Sequence, residues 1–222
     1  MPPDLDIDLL FEAPAYSLAS AGRYLRVSSN TLREWLALTT GSAPLVRIAN
    51  RHPPELSFAN LLECHVVRAL RARLSMDSVR NGIETATRLY GTRHPLLDPR
   101  ARTDGKSLFF ETEESDIVNV SRGGQVAMRP IVSIFLERIN WDDTKFFPFV
   151  REISSSEPRY ISIGPKVASG RSVIDGTGIS TAVIASRFAA RETPRALARE
   201  YGLDEEQVYE AIRWERPYRE AA

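Results

Sequence analysis

The sequence predicts a mainly α-helical fold with small β elements (α+β). Apolar residues recur at helical spacing in much of residues 16–90 and again in 179–214. Short β-prone runs bounded by glycine and proline lie between these helical stretches, in residues 94–157. The chain has 222 residues, enough for one large domain or two small ones. We expect an N-terminal domain over 1–153 and a C-terminal domain over 158–222.

The stretch Tyr16–Trp35 predicts two short helices joined by a tight turn. Ser17 and Ser28 are suited to cap them, because a serine hydroxyl accepts a hydrogen bond from an N–H of the first turn. Gly22 lies ten positions before the apolar Leu32, where a small residue lets two crossing helices approach. This spacing is typical of a helix-turn-helix, whose second helix enters the major groove of DNA. An ordinary helical hairpin is the alternative.

A two-stranded wing is predicted after this helix pair. A β-prone run at Leu45–Ile48, a turn cluster at Asn50–Pro54 and a return at Leu56–Phe58 would form it. Basic residues of such a wing can lie along phosphates or in the minor groove, with a plain polar hairpin as the alternative. Polar residues at the start of the second helix can bond phosphates or base edges. The predicted DNA contacts are Arg23, Arg26, Ser28, Ser29, Asn30, Thr31, Arg33, Arg47 and Arg51.

Charge is distributed unevenly along this chain of zero net charge. Residues 16–100 carry twelve arginines against six acidic residues, whereas residues 1–15 carry four acidic residues and no basic one. The positive stretch contains the predicted helix-turn-helix, and clustered positive charge favours binding to nucleic acid. Only three of the 29 basic residues are lysines, so part of this excess reflects a general use of arginine.

The other elements are predicted from caps, turns and short apolar runs. Ser57 and Ser75 would cap helices over 59–74 and 76–90, the second ending at Gly91. The remaining predictions are a loose N-terminal arm with strand-like Ile7–Phe11, strands at Leu108–Phe110, Ile117–Val120 and Phe146–Phe149, a hairpin turn at Asp104-Gly105, a helix over Pro130–Ile139, a β-containing extension over 94–153, a linker at Ser154–Pro158 and a strand at Tyr160–Ile163.

A second helix-turn-helix spacing occurs over Ala198–Val208, with Gly202 in the turn. Asp204, with Gln207 three residues later, predicts a capping box at the start of the last helix. The start of that helix is acidic over Asp204–Glu206, and carboxylates there would repel DNA phosphates. We therefore expect this unit to contact protein rather than DNA.

Several function classes are disfavoured. Cys64 is the only cysteine, which excludes an intrachain disulfide and favours a reducing cytoplasm. The acidic N-terminus and the lack of a run of about 18 apolar residues predict neither a signal peptide nor a membrane span. Neither a cofactor nor a metal site is expected, since Cys64 and His65 are adjacent on a helix and do not face each other. No nucleophile–base–orienter set indicates an enzyme.

The C-terminal unit carries a specific motif. It follows the pattern Gly-Arg-Pro-Val-Ile-x-Gly-Thr-Arg-Ile, then a helix and an Ala-x-x-Tyr-Gly-Leu turn. In this respect it closely resembles domain-of-unknown-function family 433, with Ser172 in place of the usual proline and Gly178 in place of the usual arginine. The matching residues are Gly170, Arg171, Val173, Ile174, Gly176, Thr177, Ile179, Tyr201, Gly202 and Leu203.

The N-terminal half carries a second resemblance. The run Thr31-Leu32-Arg33-x-Trp35 resembles the recognition helix of MerR-like winged helix-turn-helix regulators. The two halves together resemble VapB-like antitoxins of type II toxin–antitoxin systems. That resemblance implies a homodimeric antitoxin that binds a PIN-domain ribonuclease toxin and represses the shared operon on operator DNA. A stand-alone regulator, with residues 94–157 as a sensing domain, is the alternative. The expected toxin or dimer contacts are Arg171, Thr177, Ile179 and Tyr201.

Overall fold

A computed structural model describes residues 7–38, 43–48, 50–72, 74–98 and 134–216. These residues form helices and small antiparallel sheets, so the predicted mainly α, α+β class is confirmed. The chain packs into two compact units. One comprises Phe11–Glu137, and the other comprises Met1–Leu10 with Arg138–Ala222.

The elements up to residue 98 are mostly helical, with one three-stranded sheet of order β1-β3-β2. Both strand pairs are antiparallel, with Tyr16 opposite Leu56 and Asn50 opposite Glu55. In chain order the elements are α1 (Ile7–Glu12), β1 (Tyr16–Ser17), α2 (Leu18–Leu25), α3 (Ser29–Trp35), β2 (Asn50–Arg51), β3 (Pro54–Leu56), α4 (Phe58–Arg71), α5 (Met76–Tyr90) and a 3-10 turn (Pro95–Leu97).

The second unit joins two short hairpins to three helices. Strand β4 pairs with β5 and β6 pairs with β7, and an antiparallel bridge between Phe146 and Ile163 connects the two hairpins. In chain order the elements are β4 (Ile139–Asn140), β5 (Lys145–Phe146), β6 (Ile161–Ser162), a 3-10 turn (Ala168–Gly170), β7 (Val173–Ile174), α6 (Thr181–Ala189), α7 (Pro194–Tyr201) and α8 (Glu205–Glu215).

Four serines start four helices, as their positions predict. In each case the hydroxyl accepts a hydrogen bond from the N–H three residues later, which satisfies one of the unpaired donors of the first turn. The distances are 3.2 Å at Ser17, 2.9 Å at Ser28, 3.2 Å at Ser57 and 3.1 Å at Ser75. Ser57 also donates its own N–H to the Asn60 side chain, which completes a capping box.

Two predictions about the N-terminal part are wrong in detail. Ile7–Glu12 is a helix rather than a strand-like arm, and the Phe11 ring at its end packs edge-on against Phe58 at 5.7 Å. Leu45–Ile48 forms no strand, because the N–H groups of Leu45 and Val46 bond the carbonyl of Trp35 instead. The hairpin therefore begins inside the predicted turn cluster, with β2 at Asn50–Arg51 and β3 at Pro54–Leu56, and Phe58 of the predicted return strand starts α4.

A buried arginine organises the start of the second unit. Arg138 is only 2% exposed, and its guanidinium donates four hydrogen bonds of 2.7–3.1 Å to backbone carbonyls. Burial lowers the pKa of Arg138 to about 10. The four acceptors are the carbonyls of Phe147, Pro148, Glu157 and Pro158.

The segment predicted to be a linker is part of this packing. Glu157 is 5% exposed, and its carboxylate accepts hydrogen bonds from the N–H groups of Val150 (2.9 Å) and Arg151 (2.8 Å). Arg138 and the residues of the predicted linker accordingly belong to the same compact unit. The helix expected over Pro130–Ile139 also ends early, because Ile139 belongs to β4.

Residues 179–214, where apolar residues recur at helical spacing, form three helices. Thr193 caps α7 with Pro194 as its first residue, and Asp204 with Gln207 forms a capping box at α8. Gly202 ends α7 with φ +66°, a conformation that glycine adopts without strain. The core between these helices contains the buried apolar residues Ile184, Leu197, Ala198, Val208, Ala211, Ile212 and Trp214. The strands predicted at 108–110 and 117–120 and the turn at 104–105 lie outside the described residues.

Candidate nucleic-acid interface

Helices α2 and α3 are joined by a tight turn. Arg26 ends α2 in the left-handed conformation (φ 53°), and the N–H of Val27 returns to the carbonyl of Gly22 at 3.0 Å. A Cβ atom on Gly22 would lie 2.8 Å from the carbonyl oxygen of Val27 and 3.7 Å from the Leu32 side chain. Only glycine therefore fits at the crossing of the two helices, as the spacing predicts.

Helix α3 has one buried face and one exposed face. Leu32 and Trp35 are buried on the inner face. Ser29, Asn30 and Arg33 are exposed, and they are side chains that can bond phosphates or base edges. Of the predicted DNA contacts on α3, these three are on the solvent side.

Two of the predicted DNA contacts, Ser28 and Thr31, form hydrogen bonds with each other at the start of α3. The Ser28 hydroxyl accepts the N–H of Thr31 at 2.9 Å and lies 2.8 Å from the Thr31 hydroxyl. Both residues are half-buried. The geometry thus gives Ser28 and Thr31 a capping role that fixes the first turn of α3, close to the exposed trio.

The four remaining predicted contacts are arginines in different environments. Arg23 and Arg26 are half-buried at the end of α2, and the Arg23 guanidinium lies 5.1 Å from the Tyr24 ring. Arg47 is exposed, and its backbone carbonyl accepts the Asn60 side chain at 3.0 Å. Arg51, on the hairpin of β2 and β3, donates hydrogen bonds to the carbonyls of Leu36 and Ala37 at the end of α3.

A buried cluster of carboxylates and a histidine supports the same unit, and sequence spacing gave no signal for it. His94 Nδ1 lies 2.8 Å from a Glu63 oxygen, and His94 Nε2 lies 2.8 Å from a Glu12 oxygen. Burial raises the pKa of Glu63. Burial alone would lower the pKa of His94, but the hydrogen bond and charge of Glu63, together with the charge of Glu12, raise it overall. The cluster ties α1, α4 and the 94–97 turn together.

The His94 cluster predicts a pH-dependent stability. A raised histidine pKa stabilises the fold below the unfolded value of 6.5, and this contribution is lost as pH rises through the folded pKa. We expect the free energy of unfolding to fall by about 1.4 kcal/mol per unit of pKa elevation. Urea titrations of His94→Gln at a series of pH values, from acid to alkaline, should show that this fall in the free energy of unfolding is lost. The exposed His52→Gln is the control and should keep it; an unchanged profile for His94→Gln would contradict the assignment.

The four predicted toxin or dimer contacts lie in the second unit. Arg171 is exposed. Thr177 is half-buried, and its hydroxyl donates to the carbonyl of Ile174 (2.7 Å) and accepts the N–H of Ile179 (3.1 Å), so it shapes the turn before α6. The Tyr201 hydroxyl accepts a hydrogen bond from the Arg187 guanidinium at 3.0 Å, and the same guanidinium lies over the Tyr201 ring at 5.2 Å. Thr177 and Tyr201 thus have structural partners within the unit.

The serine that replaces the usual motif proline has a defined role. Ser172 is buried, and its hydroxyl lies 2.8 Å from that of Thr181. Thr181 in turn donates to the carboxylate of Glu215 at 2.5 Å. This polar chain links β7, the start of α6 and the end of α8.

Comparison with known proteins supports the C-terminal resemblance. Residues 161–214 match the DUF433 family model, described as a protein of unknown function. The whole chain is also similar to "Putative antitoxin VapB45" of Mycobacterium tuberculosis. The two are 28% identical over 233 residues, which cover 94% of this chain and 97% of that protein. The chain is thus antitoxin-like in sequence, whereas the MerR-like character of the N-terminal half stays a prediction.

A solved structure shares the fold. The X-ray crystal structure of Rv2018 from Mycobacterium tuberculosis superposes with a TM-score of 0.71 at 23% identity. The superposition covers 92% of this chain and 100% of that chain. Among the described residues, no helix has the length and apolar character that a membrane span requires. The same residues hold no group of three or more His, Cys, Asp or Glu side chains that could bind a metal ion.

Proposed function

We propose that the protein is the antitoxin of a type II toxin–antitoxin system. In this role it binds and neutralises a toxin protein, a PIN-domain ribonuclease, by occluding its active site. It also represses the shared operon by binding operator DNA as a homodimer in the cytoplasm. The near full-length similarity to a protein named as an antitoxin supports the first part. The exposed trio on a helix-turn-helix supports the second.

The exposed trio of Ser29, Asn30 and Arg33 carries the DNA-binding proposal. The helix that presents it is held by the Gly22 crossing on one side and by the Ser28 cap at its start. Rigid placement matters because base readout requires donors within hydrogen-bond reach of the base edges. Asn30 and Arg33 are the residue types that make bidentate bonds to adenine and guanine.

Arginines around α3 supply the phosphate contacts in this proposal. Arg47 is exposed, while Arg23 and Arg26 flank the turn. Neutralised phosphates release counterions, so binding should weaken steeply as salt rises. A two-fold dimer would place two copies of α3 on half-sites about one helical turn apart.

Arg33→Ala is expected to weaken binding to the DNA directly upstream of the gene by about 1–3 kcal/mol. The reason is that a bidentate contact to a base edge is lost. Gel-shift titration of the purified chain measures this loss. Arg195→Ala, at an exposed position on α7, is the control and should leave affinity unchanged. Equal affinity of Arg33→Ala and the parent protein would remove Arg33 from the interface.

Two experiments test the proposal as a whole. The first is gel-shift binding to the upstream DNA across a salt series, with specific binding and a steep salt slope expected. The second is co-expression with the product of the neighbouring gene, followed by co-purification and an RNase assay of the complex. Failure to bind DNA at any salt concentration would remove the operator role. Failure to suppress the neighbour's ribonuclease activity would remove the antitoxin role.

A further inference from the structure

We infer that Arg51 is a positioning residue: it fastens the wing hairpin to the end of α3 and so sets the orientation of that helix. This differs from the phosphate contact expected from its place at the wing. Only the effect of Arg51 on DNA binding rests on the proposed function. The structural part stands on hydrogen bonds within the unit.

The carbonyls at the end of α3 show how this works. A helix leaves its last carbonyls without partners inside the helix, and buried carbonyls require partners elsewhere. The first two are satisfied locally: the carbonyl of Arg33 accepts the N–H of Leu38 (2.9 Å), and that of Glu34 accepts the N–H of Ala37 (3.1 Å). These two bonds form a Schellman motif, with Ala37 in the left-handed conformation at φ 48°.

The next three carbonyls are satisfied by residues later in the chain, one by Leu45 and two by Arg51 of the β2–β3 hairpin. The carbonyl of Trp35 accepts the N–H of Leu45 at 2.7 Å. The Arg51 guanidinium donates to the carbonyls of Leu36 (3.4 Å) and Ala37 (2.8 Å). Its two outer nitrogens thus bond two consecutive carbonyls, which a lysine ammonium with one nitrogen matches poorly. The positive charge also faces the negative end of the helix dipole.

The hydrogen bond from Arg51 to the carbonyl of Ala37 also stabilises a strained backbone conformation. Ala37 is 6% exposed and adopts a positive φ, which is unfavourable for a non-glycine residue because its Cβ crowds the following carbonyl oxygen. Such a conformation persists only where its surroundings hold it. The guanidinium of Arg51 bonds the carbonyl of this same residue, so the wing holds the strained turn in place.

The wing itself is rigid enough to act as an anchor. Strand β3 lies between β1 and β2, so the hairpin is the edge of a sheet rather than an isolated loop. Asn50 donates from its side chain to Glu55 across the hairpin at 3.1 Å, and its side-chain oxygen accepts the N–H of His52 at 3.2 Å. The β2–β3 hairpin therefore adds a side-chain attachment from a sheet to the Gly22 crossing and the Ser28 cap, which also hold α3.

The test compares Arg51→Lys and Arg51→Ala with Arg47→Ala, the exposed arginine that is not bonded to α3. Amide hydrogen exchange of the DNA-free full chain is measured at Leu36, Ala37 and Leu38. We expect exchange to be about tenfold faster in both Arg51 variants and unchanged in Arg47→Ala. If Arg51→Lys protects these amides as well as the parent protein does, the inference is overturned, because charge alone would then suffice.

A DNA arm separates positioning from phosphate contact. Affinity is measured across a salt series for the upstream duplex and for a scrambled duplex of equal length. We expect Arg51→Ala to lower the preference for the upstream duplex and to leave the salt dependence of binding unchanged. We expect Arg47→Ala to weaken binding to both duplexes equally and to reduce the salt slope by about one. Equal weakening with a flatter slope for Arg51→Ala would overturn the inference. If the parent protein shows no preference, the proposed function fails while the exchange result still decides the role of Arg51.

Discussion

Gly22→Val is expected to destabilise the N-terminal unit by about 3 kcal/mol and to abolish the proposed DNA binding. The Cβ atom would lie 2.8 Å from the carbonyl oxygen of Val27, and that oxygen belongs to backbone that cannot rotate away as a side chain can. The crossing of α2 and α3 must therefore open. Urea denaturation gives the loss of stability, and gel-shift titration gives the loss of binding.

Ala19→Val is the matched control for this substitution. Ala19 lies on the same helix but is exposed, so valine there adds only the modest cost of a β-branched residue in a helix. We expect Ala19→Val to differ from the parent protein by less than about 1 kcal/mol. If the two valine variants unfold at similar urea concentrations, the close approach at Gly22 does not limit stability.

Arg138→Met is expected to destabilise the C-terminal unit by about 3–5 kcal/mol. Methionine matches the length of the arginine stem but donates no hydrogen bond, so three buried backbone carbonyls and the half-buried carbonyl of Pro158 lose their donor. The charge beside Glu157 is lost as well. Thermal and urea unfolding of the full chain would show an early transition.

Two further variants separate the hydrogen bonds of Arg138 from its charge. Arg138→Lys keeps the charge but has a single nitrogen, so it should recover only part of the loss. Arg195→Met, at an exposed position, should be close to neutral. A stability of Arg138→Met within about 0.5 kcal/mol of Arg195→Met would show that water replaces the lost donor.

Local signals in the sequence predicted the local structure. The serine at each helix start and the glycine after α7 form hydrogen bonds or dihedral angles within a few residues, which is the range that spacing can report. Gly22 and Leu32 were also found from spacing, because the turn between α2 and α3 is short. These signals predicted the helix pair α2 and α3 and the exposed positions of Ser29, Asn30 and Arg33 in the first part of α3.

Contacts between distant parts of the chain were not predictable in the same way. Arg51 and Arg138 are long polar side chains that a sequence places on the surface, yet both satisfy backbone carbonyls of other segments. His94 meets Glu63 across 31 positions. The first strand of the predicted hairpin also lies elsewhere, because Leu45 and Val46 bond the carbonyl of Trp35 and β2 at Asn50–Arg51 pairs with β3 instead.

The placement of Arg138 determines how the chain can be divided for study. A fragment cut at residue 161, where the family match begins, would lose the strand that carries Phe146. Ile163 exchanges two backbone hydrogen bonds with Phe146, of 2.8 and 2.9 Å, and would become an unpaired sheet edge. Exposed edges of this kind invite aggregation. The shortest C-terminal fragment expected to remain monodisperse therefore begins at or before Arg138, well upstream of the segment that matches the family model.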